Sequence, residues 1–173
     1  RLVTFDPFVS AERARTMGVE LLALDQLVAE ADFITIHLPK TKETTGIIGR
    51  DLFLKAKPSL RVINVARGGI VDEDALAEAI SGGVIAGAAL DVFSKEPMTE
   101  SPLFALDSVV ITPHLGASTR EAQDKAGDTI ADMVQLALAG EFVPFAVNIN
   151  AAEANETLRP FLPLAERVGR LFA

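Results

Sequence analysis

Three side chains that could do chemistry follow three separate apolar segments. Arg67 comes directly after RVINVA, Glu96 lies in the polar loop after VIAGAALDVF, and His114 follows SVVITP. A guanidinium can hold a carboxylate through two parallel hydrogen bonds, and an imidazole can accept or release a proton near neutral pH. A carboxylate beside the imidazole would orient the ring and stabilise its protonated form. These residue types indicate proton transfer on a small carboxylic acid.

Each of the three residues also has an interpretation without chemistry. Arg67 can be a solvated arginine at a strand end, Glu96 a solvated loop carboxylate, and His114 an imidazole bonded to a backbone carbonyl. Their joint placement favours the chemical interpretation, because the carboxyl ends of parallel strands share one edge of a sheet. Gly68 and Gly69 add to it, since they permit a sharp turn and a close approach by a ligand.

Other kinds of active site find little support. The chain has no cysteine and two histidines, and no spacing matches a metal motif, so neither a thiol nucleophile nor a zinc site is expected. Ser118 lies near His114, but no G-x-S-x-G sequence surrounds it, and helix capping accounts for it. We assign no catalytic role to His37.

Composition narrows the class of protein. The 173 residues are 49% hydrophobic and 23% charged, which is typical of a globular chain. A net charge of −8, with 16 basic residues scattered among 24 acidic ones, argues against a nucleic-acid or anionic membrane surface. The longest apolar run, residues 84–90, is too short to span a bilayer. We therefore expect a soluble, cytoplasmic protein.

The elements that position the three side chains alternate along the chain. Strands are predicted at residues 2–6, 19–24, 33–37, 61–66, 84–93 and 108–113, and helices at 10–17, 26–31, 50–57, 73–81 and 118–139. This rhythm predicts an α/β fold with a doubly wound parallel sheet, and the apolar strand at 61–66 is expected to be buried on both faces. A further strand is predicted at 144–150 and a last helix at 160–172.

Capping residues are predicted at the start of three helices. They are Asp25, Asp72 and Ser118, the last forming a capping box with Glu121. The helix that follows Ser118 is amphipathic and ends at Gly140. We expect it to bridge the sheet domain to the residues beyond it.

Asp6 ends the first apolar segment, LVTFD. In a dinucleotide-binding βαβ unit, an acidic residue at the end of the second strand binds the ribose hydroxyls, about 20 residues after a glycine-rich turn. No such turn precedes Asp6 in this sequence, and an aspartate before a proline is also a common turn starter. Both interpretations stay open here. The cofactor interpretation implies that the chain starts inside a fold.

The segments FITIHLP, RVINVARGGIVDEDAL, AALDVFSKEP and ITPHLGAST, in this order, closely resemble the NAD-dependent D-2-hydroxyacid dehydrogenases. The resemblance covers essentially the whole chain. It implies a Rossmann-like NAD-binding domain over residues 1–117, incomplete at its N-terminus. It further implies a bridging helix and strand over 118–150 and the start of a following domain over 151–173.

The resemblance implies a role for each candidate residue. Arg67 would bind the substrate carboxylate and polarise the 2-oxo group, His114 would take the proton of the 2-hydroxyl group, and Glu96 would pair with the histidine. Hydride would pass between C2 of the substrate and the nicotinamide of NAD. The implied cofactor contacts are Asp6, Leu38, Val65, Ala66, Arg67, Asp91, His114, Gly116 and Ala117.

The resemblance also implies partners. They are a small anionic 2-hydroxy or 2-oxo acid as substrate and further copies of the chain in a homo-oligomer, without nucleic acid or membrane. An acid at position 6 would repel a 2′-phosphate, which favours NAD over NADP.

The sequence departs from the family in one respect. The glycine-rich loop and the amino-terminal part of the substrate domain are not in it. The absent first strand would lie between the Asp6 strand and the FITIH strand, so we expect two open strand edges there. We also expect little or no turnover from the isolated 173 residues.

Two alternative functions remain at this stage. One is a dehydrogenase for another D-2-hydroxyacid, such as glycerate or lactate, or a keto-acid reductase. The other is a non-catalytic module that senses NAD. The presence of Arg67, Glu96 and His114 together argues against the module, because binding alone requires no proton relay.

Overall fold

The computed structural model describes residues 1–7, 9–147 and 159–171. The chain divides into two compact units, residues 1–116 and 117–173. Within the described residues, no helix combines the length and the apolar character that a membrane span requires.

Strands and helices alternate throughout the first unit. The strands are β1 (Val3–Thr4), β2 (Glu20–Leu21), β3 (Phe33–Ile36), β4 (Arg61–Asn64), β5 (Gly87–Leu90) and β6 (Val109–Ile111). The helices are α1 (Ala11–Thr16), α2 (Leu24–Glu30), α3 (Arg50–Phe53) and α4 (Glu73–Ser81), with a 3₁₀ turn at Pro102–Ala105. Every strand ladder between these elements is parallel, which confirms the α/β fold.

The parallel sheet is divided into two pieces. β1 pairs with β2, and a second sheet has the order β3-β4-β5-β6. No ladder joins β1 to β3 in the described chain, and a cleft of about 510 Å³ lies between them, lined by residues 1–6 and 33–38. The open strand edges expected from the sequence are therefore present.

The core lies on one face of the four-stranded sheet. Ile34 and Val62 are buried there against side chains of α2, α3 and α4. The other face is less covered, since Phe33 is 64% exposed and Ile63 and Ala89 are half-buried. The prediction that the 61–66 strand is buried on both faces is therefore wrong, since Val62 is buried but Ile63 is only half-buried and Val65 is exposed. Apolar β-branched residues do not reveal which face a neighbouring element covers.

The helix starts agree only partly with the predicted caps. Asp72 caps α4 by accepting a hydrogen bond from the Ala75 N–H, as expected. α2 begins after Ala23 without a side-chain cap, and Asp25 lies inside its first turn. Asp25 is thus not a cap. It is an acid in the first turn, where its negative charge interacts favourably with the positive end of the helix dipole.

The second unit contains two helices among its described residues, α5 (Arg120–Leu138) and α6 (Leu162–Leu171). Thr119 caps α5 by accepting from the Ala122 N–H, so the prediction of Ser118 as the cap is wrong by one residue. The described part of the predicted strand, residues 144–147, has turn structure and pairs with no strand. Residues 148–150 lie outside the described residues.

Gly87, at the start of β5, provides a test of the sheet that carries the candidate residues. A Cβ at this position would lie 2.3 Å from the backbone oxygen of Ser108, just before β6. Gly87→Ala should therefore push β6 away from β5 and destabilise the fold by about 2 kcal/mol. Urea unfolding of the 173-residue chain, followed by circular dichroism, measures the change.

Gly127→Ala in α5 is the matched control, because a Cβ there would have no atom within 4 Å. We expect it to leave stability unchanged or to raise it, since alanine favours a helix. An unchanged unfolding midpoint for Gly87→Ala would contradict the close approach of the two strands.

Candidate active site

His114 and Glu96 come from different loops and meet at the carboxyl edge of the sheet. The Nδ1 atom of His114 lies 2.7 Å from Oε2 of Glu96. The other carboxylate oxygen of Glu96 accepts a hydrogen bond of 2.9 Å from the Phe93 N–H. Both oxygens of Glu96 are therefore engaged, and the carboxylate has a fixed orientation toward the ring.

The hydrogen bond from His114 lowers the pKa of Glu96, and the bond from the Phe93 N–H lowers it further. Glu96 is thus ionised at neutral pH and can only accept hydrogen bonds. Nδ1 of His114 consequently carries the hydrogen between them. This arrangement leaves Nε2 as the ring nitrogen that can exchange a proton with a substrate.

The backbone of His114 adopts a conformation that is uncommon for residues other than glycine. Its φ is +56°, in the left-handed region, which costs of order 1–3 kcal/mol for a residue with a side chain. Asp91 holds this turn, because its two carboxylate oxygens accept from the Leu115 and Gly116 N–H groups at 2.7 Å each. Thr112 donates its hydroxyl to the same carboxylate, so Asp91 brackets His114 on both sides.

Asp91 is a buried charge. It is 4% exposed. Burial by itself raises its pKa, but the hydrogen bonds from Thr112, Leu115 and Gly116 together outweigh burial and leave the pKa below its ordinary value. A Cβ at Gly116 would lie 3.0 Å from Asp91 Oδ2, so the glycine permits this close approach. Asp91 therefore orders the turn that presents His114.

Arg67 lies on the turn that follows β4. Asn64, which is 2% exposed, fixes this turn: its amide donates to the Arg67 carbonyl at 3.0 Å and accepts from the Ala66 N–H at 3.1 Å. A Cβ at Gly68 would lie 1.8 Å from the Phe93 carbonyl oxygen, so the turn packs directly against the segment leading to Glu96. The Arg67 side chain is exposed, and its Nη1 donates to the Ala66 carbonyl at 2.7 Å.

Sequence reasoning missed two residues that order this site. In the sequence, Asn64 is only a member of a predicted strand, and Thr112 is only part of the segment before His114. The signal for Asn64 is a single amide within the apolar run RVINV, which must be hydrogen-bonded if the strand is buried. Among the described residues, no group of three acidic, histidine or cysteine side chains could hold a metal ion.

The predicted cofactor residues lie at strand ends in the first unit, except Ala117, with which the second unit begins. Asp6 and Leu38 line the cleft between β1 and β3. Val65 and Leu115 are 46% and 50% exposed, which leaves apolar surface beside the strand ends for a flat ring. These residues fit a dinucleotide, although no G-x-G-x-x-G turn for its pyrophosphate occurs in the sequence.

Comparison with known sequences agrees with this geometry. The family model for the NAD binding domain of D-isomer specific 2-hydroxyacid dehydrogenases matches residues 1–116. The D-3-phosphoglycerate dehydrogenase of Mycobacterium tuberculosis is 56% identical over 170 residues, which are 98% of this chain and 32% of that protein. A protein of the same name from Archaeoglobus fulgidus is 50% identical over 173 residues, covering 98% of this chain and 33% of that protein. The chain spans about a third of the length of these relatives.

A solved structure supports the same assignment. The D-lactate dehydrogenase of Lactobacillus jensenii, determined with NAD⁺, matches with a TM-score of 0.75 and 26% identity, over 86% of this chain and 48% of that one. The parallel strands, the strand-end residues and the family match agree with one another. The chain belongs to the D-isomer specific 2-hydroxyacid dehydrogenases, and residues 1–116 are part of their NAD-binding domain.

Proposed function

We propose that the complete polypeptide carrying these residues is an oxidoreductase that transfers a hydride between NAD and a D-2-hydroxyacid. The observation that carries this proposal is the hydrogen bond of 2.7 Å between His114 Nδ1 and Glu96 Oε2 at the strand edge of an NAD-binding domain. A module that only bound NAD would need no such proton relay. Arg67, on a turn packed against the Glu96 segment, adds a cation for the carboxylate of the substrate.

The proposed substrate is 3-phosphoglycerate, which would be oxidised to 3-phosphohydroxypyruvate in the first step of serine biosynthesis. The support is the similarity to proteins named D-3-phosphoglycerate dehydrogenase. They come from a bacterium, an archaeon and a plant and are 56%, 50% and 46% identical to this chain. The structurally similar mandelate and lactate dehydrogenases are 28% and 26% identical.

A homo-oligomer is also proposed, for which the exposed Val110 on the outer strand β6 provides apolar surface.

The residues divide the work of the reaction among them. During oxidation, Nε2 of His114 accepts the proton of the 2-hydroxyl group as the hydride leaves C2 and the C2–O bond becomes a carbonyl. Bound NAD supplies the hydride acceptor. Glu96 stabilises the imidazolium that forms, and Arg67 holds the carboxylate so that C2 is correctly oriented. In the reverse direction, the imidazolium returns its proton to the oxygen of the 2-oxo group.

Asp91 has an indirect part in this reaction. It fixes the turn on which His114 lies, and it does so as a carboxylate, because the Leu115 N–H, the Gly116 N–H and the Thr112 hydroxyl all donate to it. An asparagine at this position could not accept all three bonds, because its amide oxygen accepts but its amide nitrogen only donates. The position of the imidazole therefore depends on the ionisation of Asp91.

Replacing His114 tests the catalytic role. In the complete polypeptide, His114→Gln should lower kcat by about 10²- to 10⁴-fold, because the proton acceptor is lost. The affinity for NADH, measured by fluorescence titration, should change little. His37→Gln removes the chain's other histidine and is expected to keep most of the activity. Equal losses of turnover and of NADH affinity in His114→Gln would assign the residue a structural role.

Replacing Asp6 tests the preference for NAD. Asp6→Asn removes the carboxylate that would repel a 2′-phosphate. The ratio of kcat/KM with NAD to kcat/KM with NADP should therefore fall by about tenfold or more, which corresponds to about 1.4 kcal/mol in the difference of activation free energies. Steady-state kinetics with both cofactors give this ratio. Asp25→Asn, an exposed carboxylate of α2, is the control and should leave it unchanged. A constant ratio in Asp6→Asn would contradict a position for Asp6 beside the ribose.

Replacing Asp91 tests the buried carboxylate through its pH dependence. The pKa of Asp91 is below its ordinary value of 3.8 in the folded state, so its contribution to stability is complete above that value and is lost as the pH falls through the folded-state pKa. Asp91→Asn should cost about 1–3 kcal/mol at pH 7, and the difference from the wild type should shrink at acid pH. Urea unfolding midpoints from neutral pH down to about pH 3 measure it.

Asp107→Asn, at an exposed position before β6, is the matched control and should show little change at any pH. A difference between wild type and Asp91→Asn that stays constant over the whole pH range would show that ionisation of Asp91 does not stabilise the turn.

A further inference from the structure

Glu73, the first residue of α4, reaches the loop that follows β5. One of its carboxylate oxygens accepts a hydrogen bond of 2.6 Å from the Ser94 N–H, and the other accepts one of 3.0 Å from the Ser94 hydroxyl. In the sequence, Glu73 is only the first residue of a predicted helix. The structure shows that both of its oxygens are used by a single residue 21 positions further along the chain.

The contacts of Glu73 continue to the imidazole. Ser94 follows Phe93, whose N–H donates to Glu96 Oε1 at 2.9 Å. The other oxygen of Glu96 meets Nδ1 of His114 at 2.7 Å. A continuous series of short contacts therefore runs from the start of α4 to the candidate proton acceptor.

Residues 94–97 have little packing of their own. All four are exposed, whereas Phe93 immediately before them is 7% exposed and packs edge-on against Phe104 with ring centroids 5.9 Å apart. Exposed loops with few buried contacts open at low free-energy cost. Hydrogen bonds to a charged acceptor are stronger than those between neutral groups, so Glu73 supplies an attachment that burial does not.

Stabilisation of the helix dipole does not account for this arrangement. An acid in the first turn of a helix is favourable, but Asp72 already caps α4, and Asp74 places another carboxylate in the first turn. Neither the cap nor the dipole requires that both oxygens of Glu73 point at Ser94. The contact connects two segments that carry candidate site residues, since α4 follows the Arg67 turn and Ser94 precedes Glu96.

We propose that Glu73 is a positioning residue that holds the 93–96 loop, so that the Glu96 carboxylate stays within hydrogen-bonding distance of His114. It acts through Glu96 and not on the substrate. As a statement about turnover the proposal rests on the proposed function, whereas the geometry of the loop can be tested without any reaction.

The first experiment follows the Glu96 carboxyl group by ¹³C NMR titration of the 173-residue chain. In Glu73→Ala the loop loses its attachment, so Glu96 should lose part of its contact with His114 and the Phe93 N–H, and its pKa should rise toward the ordinary value. The other charged group that affects the pKa of Glu96 is Asp91, which every variant retains.

Two further variants separate the attachment from the stability of the helix. Glu73→Gln keeps an oxygen to accept from the Ser94 N–H and an amide to donate to its hydroxyl, so it should restore most of the wild-type titration. Glu78→Ala removes a carboxylate from the same helix, where it pairs with Arg50 at the surface, and should leave the Glu96 titration unchanged. A simple loss of helix stability would not produce this order.

The second experiment measures steady-state kinetics of the complete polypeptide. Glu73→Ala should lower kcat by roughly 10- to 100-fold, because a displaced catalytic group has a large effect on rate. Glu73→Gln should recover most of that loss, Glu78→Ala should resemble the wild type, and KM for NAD should be nearly constant. An equal loss in Glu78→Ala would assign the effect to the helix and overturn the proposal.

The two experiments fail in distinguishable ways. A folded Glu73→Ala chain with a wild-type Glu96 titration would overturn the positioning role. If Glu73→Ala does not fold, Ser94→Ala removes one of the two hydrogen bonds and should raise the Glu96 pKa by a smaller amount, and no rise would overturn the proposal equally. A wild-type polypeptide without NAD-dependent oxidation of any 2-hydroxyacid would refute the proposed function, while the titration would still decide the role of Glu73.

Discussion

The carboxylate of Asp91 is the constraint on which the candidate site depends. A charge that is 4% exposed is costly unless hydrogen bonds satisfy it, and the donors here come from the segment that follows β6. If that segment moved away, the carboxylate would be left buried and unsatisfied, at a cost of several kcal/mol. The same bonds hold His114 at a positive φ that its own side chain disfavours. The stability of a buried charge thus maintains a strained backbone at the position of the candidate proton acceptor.

The contact between His114 and Glu96 is too weak to fix its own geometry. Their side chains are 49% and 37% exposed, and an ion pair with that exposure adds little to stability. Its geometry is set by one anchor on each side. The Phe93 N–H donates to the Glu96 carboxylate, and the Asp91 carboxylate accepts from the backbone of the turn that carries His114. The pair can therefore remain exposed and still be well oriented, since hydrogen bonds to backbone N–H groups fix both of its sides.

The sequence was informative where structure is local or periodic. The alternation of strands and helices, the Asp72 cap, and the placement of Arg67, Glu96 and His114 after strand ends all follow from patterns a few residues long. Ser118 and Thr119 illustrate the limit of such patterns, because adjacent hydroxyl residues suit the same cap and only the backbone decides between them. The roles of Asn64, Thr112 and Glu73 depend on hydrogen bonds whose partners are set by tertiary packing, and such bonds leave no periodic trace.

The division of the sheet separates two parts of the cofactor domain. Asp6 follows β1 in the two-stranded piece, whereas Arg67, Asp91 and His114 follow strands of the four-stranded piece. All ladders run parallel, so one further strand in the cleft between β1 and β3 would find partners on both sides, and each ladder bond would contribute about 0.5–1.5 kcal/mol. The anchors of His114 and Glu96 lie entirely outside this cleft. With Asp6 assigned to the ribose as proposed, the groups for proton transfer are held in place while the cleft beside Asp6 stays open. This is the physical reason for expecting low turnover from the isolated residues.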